Sequence, residues 1–196
     1  MEPITYMPIG DSYTIGTGVT PEESWPVLLT EDLRKQGIPI ALGYNPAVNG
    51  WTVGAAIEGE LPYMELEHPT FSTLLIGAND VYRGIGTSLF RNRLRRLMDD
   101  MLKVLQNKNR LLVITIPNFA VAPSIANPDF IPKIEEYNGI IRDEAIKRGL
   151  TVLDLFGPTT AFAPEDYAED GLHFSPIGHR KLETIIGPVA KELVAK

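Results

Sequence analysis

Ile4-Thr5-Tyr6-Met7-Pro8-Ile9-Gly10-Asp11-Ser12-Tyr13 begins with apolar or β-compatible residues, halts at a glycine and then presents a serine. The run reads as a buried strand, and the Gly-Asp-Ser corner as a strand-to-helix turn. Ser12 at that corner has two readings. Free backbone N–H groups and the positive dipole end of a helix N-terminus favour negative charge and suit a nucleophile, while serine is equally a common helix N-cap. The rest of the chain has to decide between them.

Four further apolar runs repeat the pattern: Ile38–Tyr44, Phe71–Ile76, Leu111–Ile116 and Leu150–Leu155. Helical segments separate them. One runs from Ser24 with Trp25, Leu28, Leu29 and Leu33 on one face, Pro26 in its first turn and Gly37 as its stop. A second spans Leu89–Leu105, with Phe90, Leu94, Leu97, Met101 and Leu105 at three- and four-residue steps. A third passes through Ile134, Asn138, Ile141 and Ala145, and the last opens at Ser175-Pro176, with Gly187-Pro188 predicted to kink or break it. Strands alternating with helices imply an α/β fold, a five-stranded parallel sheet covered on both faces, in strand order 2-1-3-4-5, forming one domain over residues 1–196.

Composition narrows the function. Hydrophobic residues make up 44% and charged residues 22%, as in ordinary globular proteins. The net charge of −7 argues against nucleic-acid partners, and Arg91, Arg93, Arg95 and Arg96, offset by Asp99 and Asp100, read as a solvated helix face. There is no cysteine, which excludes disulfides, thiolate zinc sites and cysteine nucleophiles. No run approaches a membrane span in length, and the first strand begins by Ile4, so a cytoplasmic protein with no integral membrane segment is the expectation.

In parallel sheets of this type ligands bind beyond the carboxyl ends of the strands. Ser12 follows the first strand, Gly50 the second, Asn79 the third, and Asp170-Gly-Leu-His173 the fifth. These residues therefore project from one edge. A serine, a histidine, a carboxylate and amide donors on one edge are what acyl transfer requires. His173 takes the proton from Ser12, Asp170 turns back onto the imidazole three residues away, and the N–H groups of Ser12 and Gly50 with the Asn79 amide supply an oxyanion hole. Rival motifs fall short. Gly10-x-Ser12-x-Thr14 lacks the second glycine of a nucleophile elbow, and Gly16-Thr-Gly18 has neither the third glycine of a dinucleotide fingerprint nor a P-loop lysine. His68 and His179 show no spacing that would complete a metal site with Asp170 and His173; His68 reads as a surface residue and His179 as structural. Acidic neighbours such as Asp99-Asp100 and Glu135-Glu136 diverge around helices and make no glycosidase pair.

The ordered blocks Gly10-Asp11-Ser12-Tyr13, Asn45 to Thr52, Gly77-Ala-Asn79-Asp80 and Asp170-Gly-Leu-His173 resemble those of the SGNH hydrolases, the GDSL esterase and lipase family. The likeness extends along nearly the whole chain. It implies a flavodoxin-like three-layer fold, Ser12 as nucleophile, His173 as base, Asp170 as its orienting acid, Gly50 and Asn79 in the oxyanion hole, and neither a metal nor an organic cofactor. Tyr13 replaces the leucine of the family's name, and Asn49 the serine more usual before the second-block glycine.

The expected activity is hydrolysis of a small-molecule carboxylic ester, lipid-like or a simple acyl ester, with thioesterase or lysophospholipase activity as in some relatives. Phe119, Val121, Ile125 and Phe130 in the loop from Pro117 to Pro132, with Phe162 in the next long loop, are candidates to line an acyl groove. A carbohydrate acetylesterase would use the same triad. A non-catalytic phosphate- or nucleotide-binding module is the alternative of another class; Asp11 opposes it, because a carboxylate repels phosphate. Oligomeric state is not legible from the sequence.

Overall fold

The computed structural model describes residues 2–195. Strands β1 (Ile4–Gly10), β2 (Ile40–Leu42), β3 (Phe71–Leu75), β4 (Leu111–Ile114) and β5 (Thr151–Leu153) form a parallel sheet in the order β2-β1-β3-β4-β5. The central strands are apolar almost throughout because both faces are covered. Tyr6, Met7, Ile9, Phe71, Leu111 and Leu112 are all fully buried or nearly so.

Nine helices are present among the described residues: α1 (Ser12–Ile15), α2 (Trp25–Lys35), α3 (Val53–Gly59), α4 (Leu61–Glu67), α5 (Ala78–Tyr82), α6 (Thr87–Leu105), α7 (Ile131–Lys147), α8 (Phe156–Thr160) and α9 (Pro176–Val194). α2 packs on α9, while α6 packs against α3, α4 and α7. Strand order and layering agree with the expectation from sequence.

The differences lie at element ends. Ile38 lies before β2 because its N–H returns to Leu33 O at the end of α2, at 3.1 Å. The last residue of the fourth apolar run leaves the sheet for a side-chain partner: Ile116 N donates to Asn138 Oδ1 at 2.8 Å, and Asn138 Nδ2 donates back to Ile116 O at 2.9 Å. α3 and α4 are two short helices meeting at Glu60, in a segment the periodicity left unassigned. α9 is not broken at Gly187-Pro188; it continues through Pro188 to Val194.

The arginine cluster on α6 is also more than a solvated face. Arg91 pairs with Asp143 and Glu144 of α7, and Arg95 approaches the buried Glu144 at 3.8 Å. Arg148, just beyond α7, reaches back to Asp99 at 2.7 Å. The two helices are thus laced together, although partly exposed pairs of this kind contribute only about 0–1 kcal/mol each.

Candidate active site

The corner after β1 is built by its neighbours. Gly10 has no room for a side chain: a Cβ there would lie 2.2 Å from Thr14 Oγ1 and 2.5 Å from Leu75 O. Asp11, not Ser12, caps α1, its Oδ1 accepting from Tyr13 N at 3.0 Å. Ser12 is the first helical residue, so its hydroxyl is not consumed by capping. Trp25 Nε1 donates to Tyr13 O at 2.9 Å and ties this short helix to α2.

Asp170 and His173 sit on a tight hairpin closed by Ala168 N to His173 O at 2.7 Å and by the antiparallel bridge between Tyr167 and Phe174. Asp170 Oδ1 accepts from Leu172 N and His173 N, both at 2.9 Å, and Oδ2 meets His173 Nδ1 at 2.5 Å. Burial works to raise the Asp170 pKa; the His173 ring and the two backbone amides outweigh it and hold the carboxyl below the usual carboxylate range. The carboxylate thereby fixes the ring with Nε2 directed away from the hairpin.

Asn79 lies on α5, directly after β3. Its Nδ2 donates to Trp51 O at 2.9 Å, and the second hydrogen faces Asp11 Oδ2 at a long 3.5 Å. Gly50 lies in a turn closed by Trp51 N to Val48 O at 3.2 Å, with φ of 82°. Only glycine takes that conformation without strain.

Ser12, Asn79 and His173 line one open cavity of about 210 Å³, together with Tyr13, Asn49, Ala78, Tyr82, Phe119, Ile125 and Leu172. Two of the residues expected to form an acyl groove, Phe119 and Ile125, are therefore on its wall. The other three are elsewhere. Val121 is half-buried in a short turn. Phe130 sits behind the wall, its ring 5.7 Å from Tyr82 and 5.3 Å from Phe119. Phe162 packs edge-on against Phe174 at 5.4 Å. Tyr82 was missed by the sequence reading; it is 60% exposed and stacks nearly parallel on Phe130. Its only sequence signal is its place three residues after Asn79 on a strand-end helix.

Three buried carboxyls lie beneath the site. Burial pushes Asp11 up to about 7, opposed by the Tyr13 N–H and assisted by the charge of Asp80. Burial pushes Asp80 up to about 6, opposed by the Val53 N–H that its Oδ2 accepts at 3.0 Å. Glu60, fully enclosed, accepts from Gly10 N at 2.9 Å and is raised by burial to about 9. His179 is buried on α9, accepts from Trp25 N at 3.2 Å through Nδ1 and is pushed down to about 4, chiefly by burial. That is a structural histidine, as expected. His68 is exposed at the end of α4.

A model of the GDSL-like lipase/acylhydrolase family matches residues 9–181. An arylesterase of Vibrio mimicus is 25% identical over 169 residues, 86% of this chain and 78% of that protein. Among solved structures, a lipase/acylhydrolase from Enterococcus faecalis superposes with a TM-score of 0.80 at 23% identity, covering 96% of each chain. A family 3 carbohydrate esterase from Clostridium thermocellum gives 0.79 at 23% identity, over 99% of this chain and 98% of that one. At these identities the two structures attest the fold.

Proposed function

We propose that this chain, which belongs to the GDSL-like lipase/acylhydrolase family and is a carboxylic ester hydrolase, cleaves simple acyl esters through an acyl-Ser12 intermediate. The observation carrying this is the single cavity shared by Ser12, Asn79 and His173, with Asp170 held on His173 Nδ1. His173 Nε2 takes the Ser12 proton as Oγ attacks the ester carbonyl. The oxyanion is met by the N–H groups of Ser12 and Gly50 and by the second hydrogen of Asn79 Nδ2, which exchanges its long 3.5 Å contact with Asp11 Oδ2 for the oxyanion while the first stays on Trp51 O. Collapse expels the alcohol with the proton that His173 now carries. Water, deprotonated by the same imidazole, then attacks the acyl-serine carbonyl and releases the acid.

Cavity size argues for a short acyl group. About 210 Å³ lies below the roughly 300–1,000 Å³ of drug-sized pockets, and its apolar lining is limited to Ala78, Phe119, Ile125 and Leu172 beside the rings of Tyr13 and Tyr82. A lipid-like substrate, including a long-chain thioester or lysophospholipid, needs a longer groove than these side chains supply. Acetate carried on a sugar is the second reading. It is favoured by the exposed Tyr82 ring at the mouth, the kind of surface on which a sugar face packs, and by the fold shared with a carbohydrate esterase. A phosphate-binding module is disfavoured by the family and by the carboxyl of Asp11 at the turn.

The test is hydrolysis of p-nitrophenyl acetate, butyrate, octanoate and palmitate, and of acetylated xylo-oligosaccharide, by the protein and by Ser12→Ala. Turnover of acetate and butyrate that falls by octanoate and vanishes in the variant is expected. Preference for palmitate would overturn the short-acyl reading, and deacetylation of the oligosaccharide alone would select the sugar ester.

A further inference from the structure

The turn that carries Gly50 is exposed at Val48 and Asn49 and is built on a glycine, the residue with the widest backbone freedom. Displacement of the turn from Val48 to Trp51 relative to α5 would carry the Gly50 N–H away from the position the oxyanion needs. An oxyanion donor is effective only when its direction is fixed before the reaction. Something must therefore hold this turn.

Three side chains from α5 and its C-cap reach the segment. Asp80 Oδ2 accepts from Val53 N at 3.0 Å, Asn79 Nδ2 donates to Trp51 O at 2.9 Å, and Arg83 Nη2 donates to Gly50 O at 2.7 Å. Of these three, Arg83 alone touches Gly50. Its guanidinium is spent on a backbone carbonyl, a charge-assisted bond stronger than its neutral counterparts. Nη2 would also lie 3.5 Å from a Cβ at position 50, so it borders the turn on its open side. Asp80 is buried, and Arg83 is exposed, so Arg83 is the member of the clamp whose removal leaves packing intact.

We infer that Arg83 is a positioning residue for the oxyanion hole: by holding Gly50 O it keeps the turn in the arrangement that presents the Gly50 N–H to the substrate carbonyl oxygen. This rests on the acyl-serine reading above. Part-time loss of one donor should cost less than the roughly 100- to 1,000-fold typical of deleting an oxyanion donor outright.

The experiment compares wild type, Arg83→Ala, Arg83→Lys and Ser12→Ala on p-nitrophenyl butyrate, with inhibition by butaneboronic acid, which forms a tetrahedral adduct on the serine, and with thermal melts. Arg83→Ala is expected to lower kcat about 10- to 100-fold with KM within about threefold. The boronic acid Ki should rise in step with the loss in kcat/KM, because both report the tetrahedral state. Arg83→Lys, which still offers a cationic donor, should recover part of the loss, with Tm close to wild type in both variants. An unchanged kcat, a loss confined to KM, a Ki that does not follow, or a lysine no better than alanine would each overturn the assignment. Turnover surviving in Ser12→Ala would instead overturn the acyl-serine reading itself, and that result is independent of Arg83.

Discussion

An imidazole that must deprotonate a serine works in one tautomer, with Nδ1 protonated and Nε2 free, and Asp170 provides for that with one oxygen while its other oxygen is tied to the Leu172 and His173 amides. The carboxylate is thus fixed by its own hairpin. In Asp170→Asn the amide oxygen can serve either the backbone N–H groups or the ring, and an amide N–H turned toward Nδ1 selects the unproductive tautomer. The Asp170 side chain is 45% exposed, so solvent shares in stabilising the imidazolium and the loss should be smaller than for a buried triad acid. We expect kcat on p-nitrophenyl butyrate to fall by about 100- to 1,000-fold with KM little changed. Steady-state kinetics settle it, and a fall of less than tenfold would remove Asp170 from the mechanism.

At the scale of elements, those with strong periodicity or continuous apolar runs were legible: β1, β3, β4, α2, α6 and α7 lie where the sequence puts them. The unread elements are those whose cause is not local. α3 and α4 are too short to show a period, and β4 stops before Ile116 because a buried asparagine on α7 captures that residue's backbone. α9 is the instructive case. A Gly-Pro pair is a sound local signal for a break, yet Leu182 and Ile186 before it and Ala190, Leu193 and Val194 after it are all buried, so packing holds the helix continuous across a missing hydrogen bond. Pro188 itself is exposed. Pro188→Ala should therefore restore the donor to the carbonyl of Thr184 without disturbing the core, raising stability by about 1–3 kcal/mol. Thermal melts should show Tm higher by several degrees, and a fall in Tm would mean that α9 is shaped around its proline.

For the whole molecule, the rule that doubly wound sheets bind ligands at strand carboxyl ends was enough to gather Ser12, Asn79 and His173 from positions 161 residues apart, and the structure brings them to one cavity. The same rule says nothing of what lies beneath that edge. Asp11, Asp80 and Glu60 meet under it only because Glu60, at the junction of α3 and α4, reaches Gly10 N at the end of β1, and Asp80 on α5 reaches Val53 N at the start of α3, which no local pattern announces. These acids shape the pH dependence of stability. A carboxyl whose folded pKa exceeds its unfolded value binds a proton in the fold that unfolding releases, so stability falls as pH rises from the unfolded value to the folded one. For Asp80 the fall ends near 6, for Asp11 near 7, and for Glu60 it runs from the ordinary 4.5 to about 9. His179, pushed down to about 4, acts in the opposite sense, and its gain is complete by its ordinary 6.5. Between pH 7 and 9, Glu60 is the one of these four groups still changing, with a slope of at most about 1.4 kcal/mol per pH unit. Tm should therefore decline across that window. Glu60→Gln, which cannot ionise, can still accept from Gly10 N through its amide oxygen and should decline less. Parallel Tm curves for the two proteins from pH 7 to 9 would mean that Glu60 already shares its burial with an ionised partner and does not hold its proton in the fold.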